Sequence, residues 1–104
     1  MKMIMAVIRP ERLQNVKDAL KDVGINAMTI TDIRGRGQQS GLKFSNRVGT
    51  FVVDELEKTK IEMVVEDGQK DDAIKAIRSA AATGHMGDGR IFVMPVEEDI
   101  RIRE

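Results

Sequence analysis

The sequence predicts a single α+β domain of the split βαβ, or ferredoxin-like, plan, with both helices on one face of an antiparallel sheet. An apolar run opens the chain of 104 residues, two later segments repeat apolar residues at helical spacing, and a β-rich run follows each of them. The two halves match in length and pattern, and a long polar segment separates them. We therefore expect the order βαββαβ, with a long loop between the second and third strands.

The first half begins with residues 3–9, which are nearly all apolar and predict a strand buried on both faces. Pro10 stops this strand and suits the first turn of a helix, which Gly24 ends. Residues 27–33 are rich in Thr, Ile and Met and predict a second strand, which the Gly-Arg-Gly triplet at 35–37 breaks. The apolar stripe of the helix consists of Leu13, Val16, Ala19, Leu20 and Val23.

The second half follows a polar, glycine-punctuated segment at residues 37–55, whose length indicates a flexible regulatory loop. Within it, residues 48–53 could pair as a short β extension. Residues 61–65 predict the third strand, and residues 91–96 predict the fourth. The second helix opens at Asp67, and its apolar stripe consists of Ala73, Ile74, Ile77, Ala80 and Ala81.

Residues 83–92 read Thr-Gly-His-Met-Gly-Asp-Gly-Arg-Ile-Phe and lie between the second helix and the last strand. Three glycines in six positions exclude a helix interior and suit a loop of positive φ that approaches a ligand closely. The backbone amides of this loop, with Arg90 at its exit, could bind a phosphate. The spacing differs from the P-loop and dinucleotide-binding motifs. A glycine helix cap followed by a tight turn explains the same composition.

Composition excludes several function classes. Seventeen basic and seventeen acidic residues cancel, which argues against a general binder of nucleic acid or of membrane surfaces. The chain has no cysteine and a single histidine, His85, so disulfides and thiolate or histidine-rich metal sites are excluded. The apolar runs are too short to span a bilayer, and the N-terminus lacks the apolar core of a signal peptide. We therefore expect a cytoplasmic protein.

Self-association is expected from the predicted sheet. Both helices cover the same sheet face, yet the first and last strands are apolar on both faces. The second face therefore needs a cover, and further copies of the chain could supply it. The sequence thus predicts a homo-oligomer.

The whole chain resembles the PII signal-transduction proteins of nitrogen regulation, without an obvious gap. The most specific match is the stretch 83–92, which resembles the family's C-terminal signature Thr-Gly-x-x-Gly-Asp-Gly-Arg-Ile-Phe. The supporting matches are Arg9-Pro10, Gly24, Met28-Thr29, Gly35-x-Gly37-x-Gln39-x-Gly41, Val53-Asp54, Lys58-x-Lys60-Ile61-Glu62, Pro95-Val96-Glu97-Glu98 and Ile100-Arg101-Ile102-Arg103.

The resemblance implies a homotrimer of ferredoxin-like subunits with nucleotide sites in the clefts between subunits. Members bind ATP or ADP competitively, and ATP with Mg²⁺ creates a site for 2-oxoglutarate. The long loop then changes shape and decides which target protein is bound. The resemblance therefore implies a sensor of nitrogen, carbon and energy status that has no catalytic role.

The resemblance also implies roles for individual residues, with 83–90 as the phosphate-binding loop and 101–103 as a basic C-terminal segment. Lys58 would pair with the distal carboxylate of 2-oxoglutarate, and Gln39 would supply an oxygen to Mg²⁺. Gln38 stands where the family commonly carries an arginine, which removes one phosphate contact. The implied nucleotide contacts are Val7, Thr29, Gly35, Gly37, Gln38, Glu62, Val64, Gly87, Asp88, Gly89, Arg90, Arg101 and Arg103. The implied 2-oxoglutarate contacts are Gln39, Ser40, Gly41, Lys58 and Gly87.

Four residues of the long loop are implied in target binding, namely Phe44, Arg47, Phe51 and Asp54. By resemblance, Arg47 near the loop tip enters the pore of an ammonium transporter at the inner face of the membrane. Glutamine synthetase and the nitrogenase system are alternative targets. Many relatives carry a tyrosine that is uridylylated where this chain has Phe51, which has no hydroxyl, so that modification is excluded at this position.

Other interpretations of the same residues stay open. A small ferredoxin-like nucleotide phosphotransferase would use His85, with Asp88 as the nearby carboxylate to orient it. An RNA-recognition domain shares the order βαββαβ but stacks bases on strand aromatics, of which the predicted strand cores offer Phe92. Lys58 and Lys60 could protect a sheet edge. The arginines of the basic C-terminal segment could be solvent-facing strand residues.

Overall fold

A computed structural model describes residues 1–36 and 55–104, together with the backbone of two strands at 42–45 and 50–53. The elements follow the predicted order βαββαβ, with an additional hairpin in the long central segment. In chain order they are β1 (Lys2–Ile8), a 3-10 turn (Pro10–Arg12), α1 (Leu13–Asp22), β2 (Thr29–Gly35), β3 (Leu42–Ser45), β4 (Thr50–Val53), β5 (Leu56–Val65), a second 3-10 turn (Asp67–Gln69), α2 (Lys70–Ala81) and β6 (Gly89–Pro95).

The main sheet has four strands in the order β2-β5-β1-β6, and every neighbouring pair is antiparallel. Ile4 of β1 lies opposite Met63 of β5 on one side and opposite Val93 of β6 on the other. The two helices contact each other. The predicted ferredoxin-like arrangement is therefore confirmed.

The core lies between the helices and the sheet face that carries Ile4, Ala6 and Ile8. These residues are buried, whereas the alternate residues of β1 are half-buried, as a strand covered on one face requires. Within a single chain, β1 is therefore buried on one face and not on both. The buried apolar core consists of Ile4, Ala6, Ile8, Val16, Leu20, Ile25, Ile61, Met63, Val65, Ala73, Ile77 and Ala81.

The opposite face of the sheet, called the open face below, carries a continuous group of apolar side chains. Residues that lie opposite each other in a ladder share a face, so the register places the members of this group together. Phe92 is 45% exposed and Val64 is 41% exposed. The apolar second face that the sequence predicts is thus present. Its apolar members are Met3, Met5, Val7, Val64, Phe92 and Met94.

The strands differ from their predicted extents, most clearly at β5 and β2. β5 begins at Leu56 rather than at residue 61, because residues 56–60 all pair with β2, and residues 59 and 60 pair with β1 as well. Lys60 lies between two paired strands, so its interpretation as edge protection is wrong, whereas Lys58 lies beyond the last residue pair of the β1–β5 ladder and pairs with β2. β2 continues through Gly35, which lies opposite Leu56 and therefore does not break the strand.

The central segment at 37–55 contains a two-stranded hairpin. β3 and β4 are antiparallel, and Phe44 lies opposite Phe51. β4 corresponds to the β extension predicted at 48–53, whereas the four residues of β3 are too few for their alternation to be noticed. Residues 37–41, 46–49 and 54 lie outside the described residues. The predictions for Gly37, Gln38, Gln39, Ser40, Gly41, Arg47 and Asp54 therefore stay predictions.

Candidate functional site

The segment at 83–90, called the glycine loop below, joins α2 to the start of β6. α2 ends at Ala81, and the chain is extended at the next residue. Gly84, Gly87 and Gly89 have φ values of 82°, 91° and 121°. Residues with a side chain rarely adopt such values. The prediction of a helix-to-strand loop with positive φ is therefore confirmed.

Asp88 holds the glycine loop together. Its carboxylate accepts hydrogen bonds from the N–H of Thr83 at 2.7 Å, from the N–H of Gly84 at 3.1 Å and from the Thr83 hydroxyl. The hydroxyl contributes most, and together these hydrogen bonds hold the pKa of Asp88 well below its ordinary range. The carboxylate is therefore ionised at neutral pH and already bound by donors of its own loop.

Two cations attach the glycine loop to the sheet. Arg9, just after β1, donates from Nε to Asp88 Oδ1 at 3.0 Å and from Nη2 to the carbonyl oxygen of Met86 at 2.7 Å. Lys58 of β5 donates from Nζ to the carbonyl oxygen of Gly87 at 2.5 Å. Partial burial, and next the positive charge of Arg9, lower the pKa of Lys58. An anion that enters here would meet both cations.

Gly89 is the point where the loop comes closest to the sheet. A Cβ atom at this residue would lie 1.8 Å from the carbonyl oxygen of Val7 and 2.9 Å from its carbonyl carbon. Gly89 also lies opposite Ile8, so it opens the β1–β6 ladder. The backbone of the sheet therefore requires a glycine here, whether or not a ligand binds.

Some of the predicted nucleotide contacts lie next to the glycine loop on the open face. Val7 lies opposite Lys60 on β5 and opposite Arg90 on β6. The guanidinium of Arg90 lies 6.0 Å from the ring centroid of Phe92, within cation–π range. The glycine loop, Val7, Lys58 and Arg90 thus form one cluster, called the loop group below.

Thr29, Glu62 and Val64 lie farther along the same face. Thr29 is opposite Glu62, whose carboxylate lies 3.5 Å from the ammonium of Lys60. Val64 follows Lys58 on β5 by six residues, which corresponds to about 20 Å at the usual rise of a strand. The predicted nucleotide contacts of one chain therefore extend along this face from the loop group to these three residues, called the Thr29 group below.

Comparison with known proteins gives a match over the full chain. The family described as "Nitrogen regulatory protein P-II" matches residues 1–104. Over 103 residues the chain is 52% identical to the nitrogen regulatory protein P-II of Azospirillum brasilense and 50% identical to that of Pasteurella multocida, with 99% of this chain and 92% of each relative covered. It is 48% identical over 103 residues to nitrogen regulatory protein P-II 2 of Methanothermobacter thermautotrophicus, with 99% of this chain and 90% of that relative covered. The chain belongs to the P-II family of nitrogen regulatory proteins.

This P-II family member carries other predicted contacts away from the glycine loop. Gly35 lies at the end of β2. Arg101 and Arg103 lie in residues 96–104, which form neither a helix nor a strand. Residues 97–104 are all exposed, and Ile102 between the two arginines has a relative exposure of 105%, so none of the described residues covers this part of the chain. The interpretation of the two arginines as strand residues is therefore wrong, and their role at a nucleotide stays a prediction.

Sequence reasoning missed the part that Arg9 takes in this P-II site. Its partners in the glycine loop, Met86 and Asp88, are 77 and 79 residues away along the chain. Spacing contains no signal for a pair that only the sheet brings together. The Arg9-Pro10 match to the family was the available sign, and it did not say what the arginine contacts.

His85 of the glycine loop is exposed, and its N–H donates to Thr83 Oγ1 at 3.2 Å. Asp88, the carboxylate that would orient His85 in a phosphotransferase, is bound instead to Thr83, Gly84 and Arg9. The geometry therefore offers no support for catalysis by His85, and P-II proteins are regulators of nitrogen metabolism by family description.

The part of this P-II chain that the structure describes contains neither a candidate metal cluster nor a candidate membrane span. No three His, Asp or Glu residues there lie together as a metal site, and Gln39, the predicted Mg²⁺ ligand, lies outside that part. Among the same residues, no helix is long and apolar enough to cross a membrane.

Proposed function

We propose that this P-II family member signals nitrogen, carbon and energy status by binding ATP or ADP and, together with Mg²⁺ and ATP, 2-oxoglutarate. Residues 37–55 then bind an ammonium transporter at the inner face of the membrane, with glutamine synthetase or the nitrogenase system as alternative targets. The protein is otherwise cytoplasmic. The observation that carries the proposal is the glycine loop, which lies against Lys58 and ends with Arg90.

Phosphate binding is supported by the backbone N–H groups of the glycine loop that are not already bonded within the loop. The N–H groups of Thr83 and Gly84 donate to Asp88, and that of His85 donates to Thr83. A phosphate would therefore meet the later amides, those of residues 87–89, beside the exposed guanidinium of Arg90. Consecutive backbone amides and an arginine are donors that suit phosphate oxygens.

Lys58 supports the binding of a dicarboxylic acid. Its ammonium has the neutral carbonyl oxygen of Gly87 as a partner. A ligand carboxylate would form a charge-assisted hydrogen bond, which is stronger than a bond to a neutral oxygen. The carboxylate would also offset the repulsion between Lys58 and Arg9, which contributes to the lowered pKa of Lys58. A dianion such as 2-oxoglutarate therefore suits this position.

The open face supports a trimer. Monomeric proteins rarely leave a continuous apolar group of this kind exposed. A symmetric trimer would cover the open face of each copy. Clefts between copies could also bring the loop group of one chain beside the Thr29 group of the next.

Calorimetric titration of 2-oxoglutarate into the purified protein tests the proposal, once with Mg²⁺ and ATP and once with Mg²⁺ and ADP. We expect binding with ATP only. Lys58→Gln should weaken 2-oxoglutarate binding about 100-fold, because it removes a charged partner of the ligand. Lys70→Gln, at the start of α2, is the matched control and should bind as the wild type does.

Two outcomes would contradict the proposal in different ways. If ATP bound but 2-oxoglutarate failed to bind in the presence of either nucleotide, the protein would sense only the ratio of ATP to ADP. The proposed role of Lys58 would then be wrong. If no nucleotide bound, the phosphate assignment to the glycine loop would be wrong as well.

A further inference from the structure

Arg9 joins β1 to the glycine loop through two separate contacts. Its Nε donates to Asp88 and its Nη2 donates to the carbonyl of Met86, at 3.0 Å and 2.7 Å. Its Nη1 lies 3.9 Å from Glu11, whose side chain is 64% exposed, so this third contact is weak. The guanidinium is thus used mainly on the loop, and the proposed nucleotide contacts do not include it.

The contact with Met86 sets the direction of a neighbouring amide. In a trans peptide, the carbonyl of one residue and the N–H of the next point in opposite directions. Because the Met86 carbonyl points at Arg9, the N–H of Gly87 points away from the guanidinium. Lys58 acts on the next peptide in the same way, since it holds the carbonyl of Gly87 and thereby turns the N–H of Asp88 away from its ammonium. Two consecutive amides are thus oriented by two cations.

The contact with Asp88 offsets a negative charge inside a loop that is proposed to bind phosphate. An ionised carboxylate repels a phosphate at short range unless a cation lies beside it. Thr83 and Gly84 donate to Asp88 as neutral groups and remove no charge. Among the residues that the structure describes, Arg9 is the cation in direct contact with this carboxylate, and Lys58 interacts with it at longer range.

We propose that Arg9 is a positioning residue for nucleotide phosphates: it orients the Gly87 amide through the Met86 carbonyl and neutralises Asp88. This inference rests on the proposed binding of ATP and adds a residue that contacts the loop rather than the nucleotide. A neutral replacement should therefore weaken ATP binding while it leaves the binding of the uncharged part of the ligand unchanged.

The test compares Arg9→Gln, Asp88→Asn and the double variant with the wild type, and titrates each with ATP and with adenosine. Arg9→Gln should lower ATP affinity about tenfold and leave adenosine affinity unchanged. The double variant lacks the carboxylate charge and should bind ATP more tightly than Arg9→Gln does. Arg12→Gln is the matched control, because Arg12 donates to the carbonyl of Ala80 at 2.8 Å, outside the loop, and it should leave ATP affinity unchanged.

Amide hydrogen exchange provides a second measurement on the same proteins. The N–H groups of Thr83 and Gly84 are bonded to Asp88, so Arg9→Gln should accelerate their exchange, and Arg12→Gln should not. Equal losses of ATP and adenosine affinity in Arg9→Gln would overturn the inference, as would unchanged ATP affinity. If the wild type bound no ATP, the proposed function would fail. The exchange rates alone would then decide whether Arg9 holds the loop.

Discussion

Replacing Gly89 with alanine should lower the free energy of unfolding by about 3 kcal/mol. Gly89 has a φ of 121°, and a Cβ atom there would lie 1.8 Å from the carbonyl oxygen of Val7. Both effects act on the first pair of the β1–β6 ladder, Ile8 opposite Gly89. The variant therefore tests whether the close approach of loop and sheet matters for stability.

The magnitude follows from two contributions. A backbone conformation that only glycine adopts easily costs about 1–3 kcal/mol for another residue. Ordinary contacts of a Cβ begin at 3.4 Å, so the start of β6 must move away from β1 by more than an ångström. That movement breaks one or two ladder hydrogen bonds, each of which contributes about 1 kcal/mol. A loss of about 3 kcal/mol is a large part of the 5–15 kcal/mol that is typical of a domain.

Urea denaturation at equal protein concentration measures this loss, since the stability of an oligomer depends on concentration. Gly24→Ala separates the two contributions, because Gly24 has a φ of 82° but a Cβ atom added there would have no neighbour within 4 Å. This variant should therefore lose about 1 kcal/mol of the free energy of unfolding, from the backbone conformation alone. Gly68 has neither a positive φ nor a close neighbour, and Gly68→Ala should be nearly neutral. A Gly89→Ala variant within about 0.5 kcal/mol of Gly68→Ala would refute the reasoning.

Two further predictions concern the open face and acid stability. Phe92→Asp places a charge on the open face, so sedimentation should show a monomer instead of a trimer. The control Val23→Asp changes a residue that is 38% exposed and lies outside that face, and this variant should stay trimeric. A trimeric Phe92→Asp variant would contradict the proposed assembly. The pKa of Asp88 is lower in the folded than in the unfolded chain, so its stabilisation is present at neutral pH and is lost as the pH falls below the ordinary carboxyl value of about 3.9. In urea titrations, Asp88→Asn should therefore be less stable than the wild type at pH 7 and should lose less stability than the wild type on acidification. Equal losses of stability in the variant and the wild type would argue against the stabilising role of Asp88.

Local patterns predicted most of the fold. Helical stripes in both helices and the apolar run of β1 depend on the spacing of neighbouring residues, so they can be read before any tertiary contact is known. The positive φ of Gly84, Gly87 and Gly89 was predictable for the same reason, because glycine density reports a local backbone requirement. The start of β5 was not predictable in this way. Lys58 and Lys60 look like exposed residues, and only the ladders with β2, and for Lys60 also with β1, make them part of a central strand.

The sequence by itself determined the βαββαβ order, the position of the glycine loop and, through dispersed motifs, membership of the P-II family. Tertiary structure decided which charges meet. Arg9 and Asp88 are 79 residues apart and pair only because β1 and β6 are neighbours in the sheet. Lys58 reaches the carbonyl of Gly87 for the same reason, because β5 lies on the other side of β1. Hydrogen bonds and charges act over a few ångströms in space, whatever the distance along the chain, so sequence spacing does not contain these pairs.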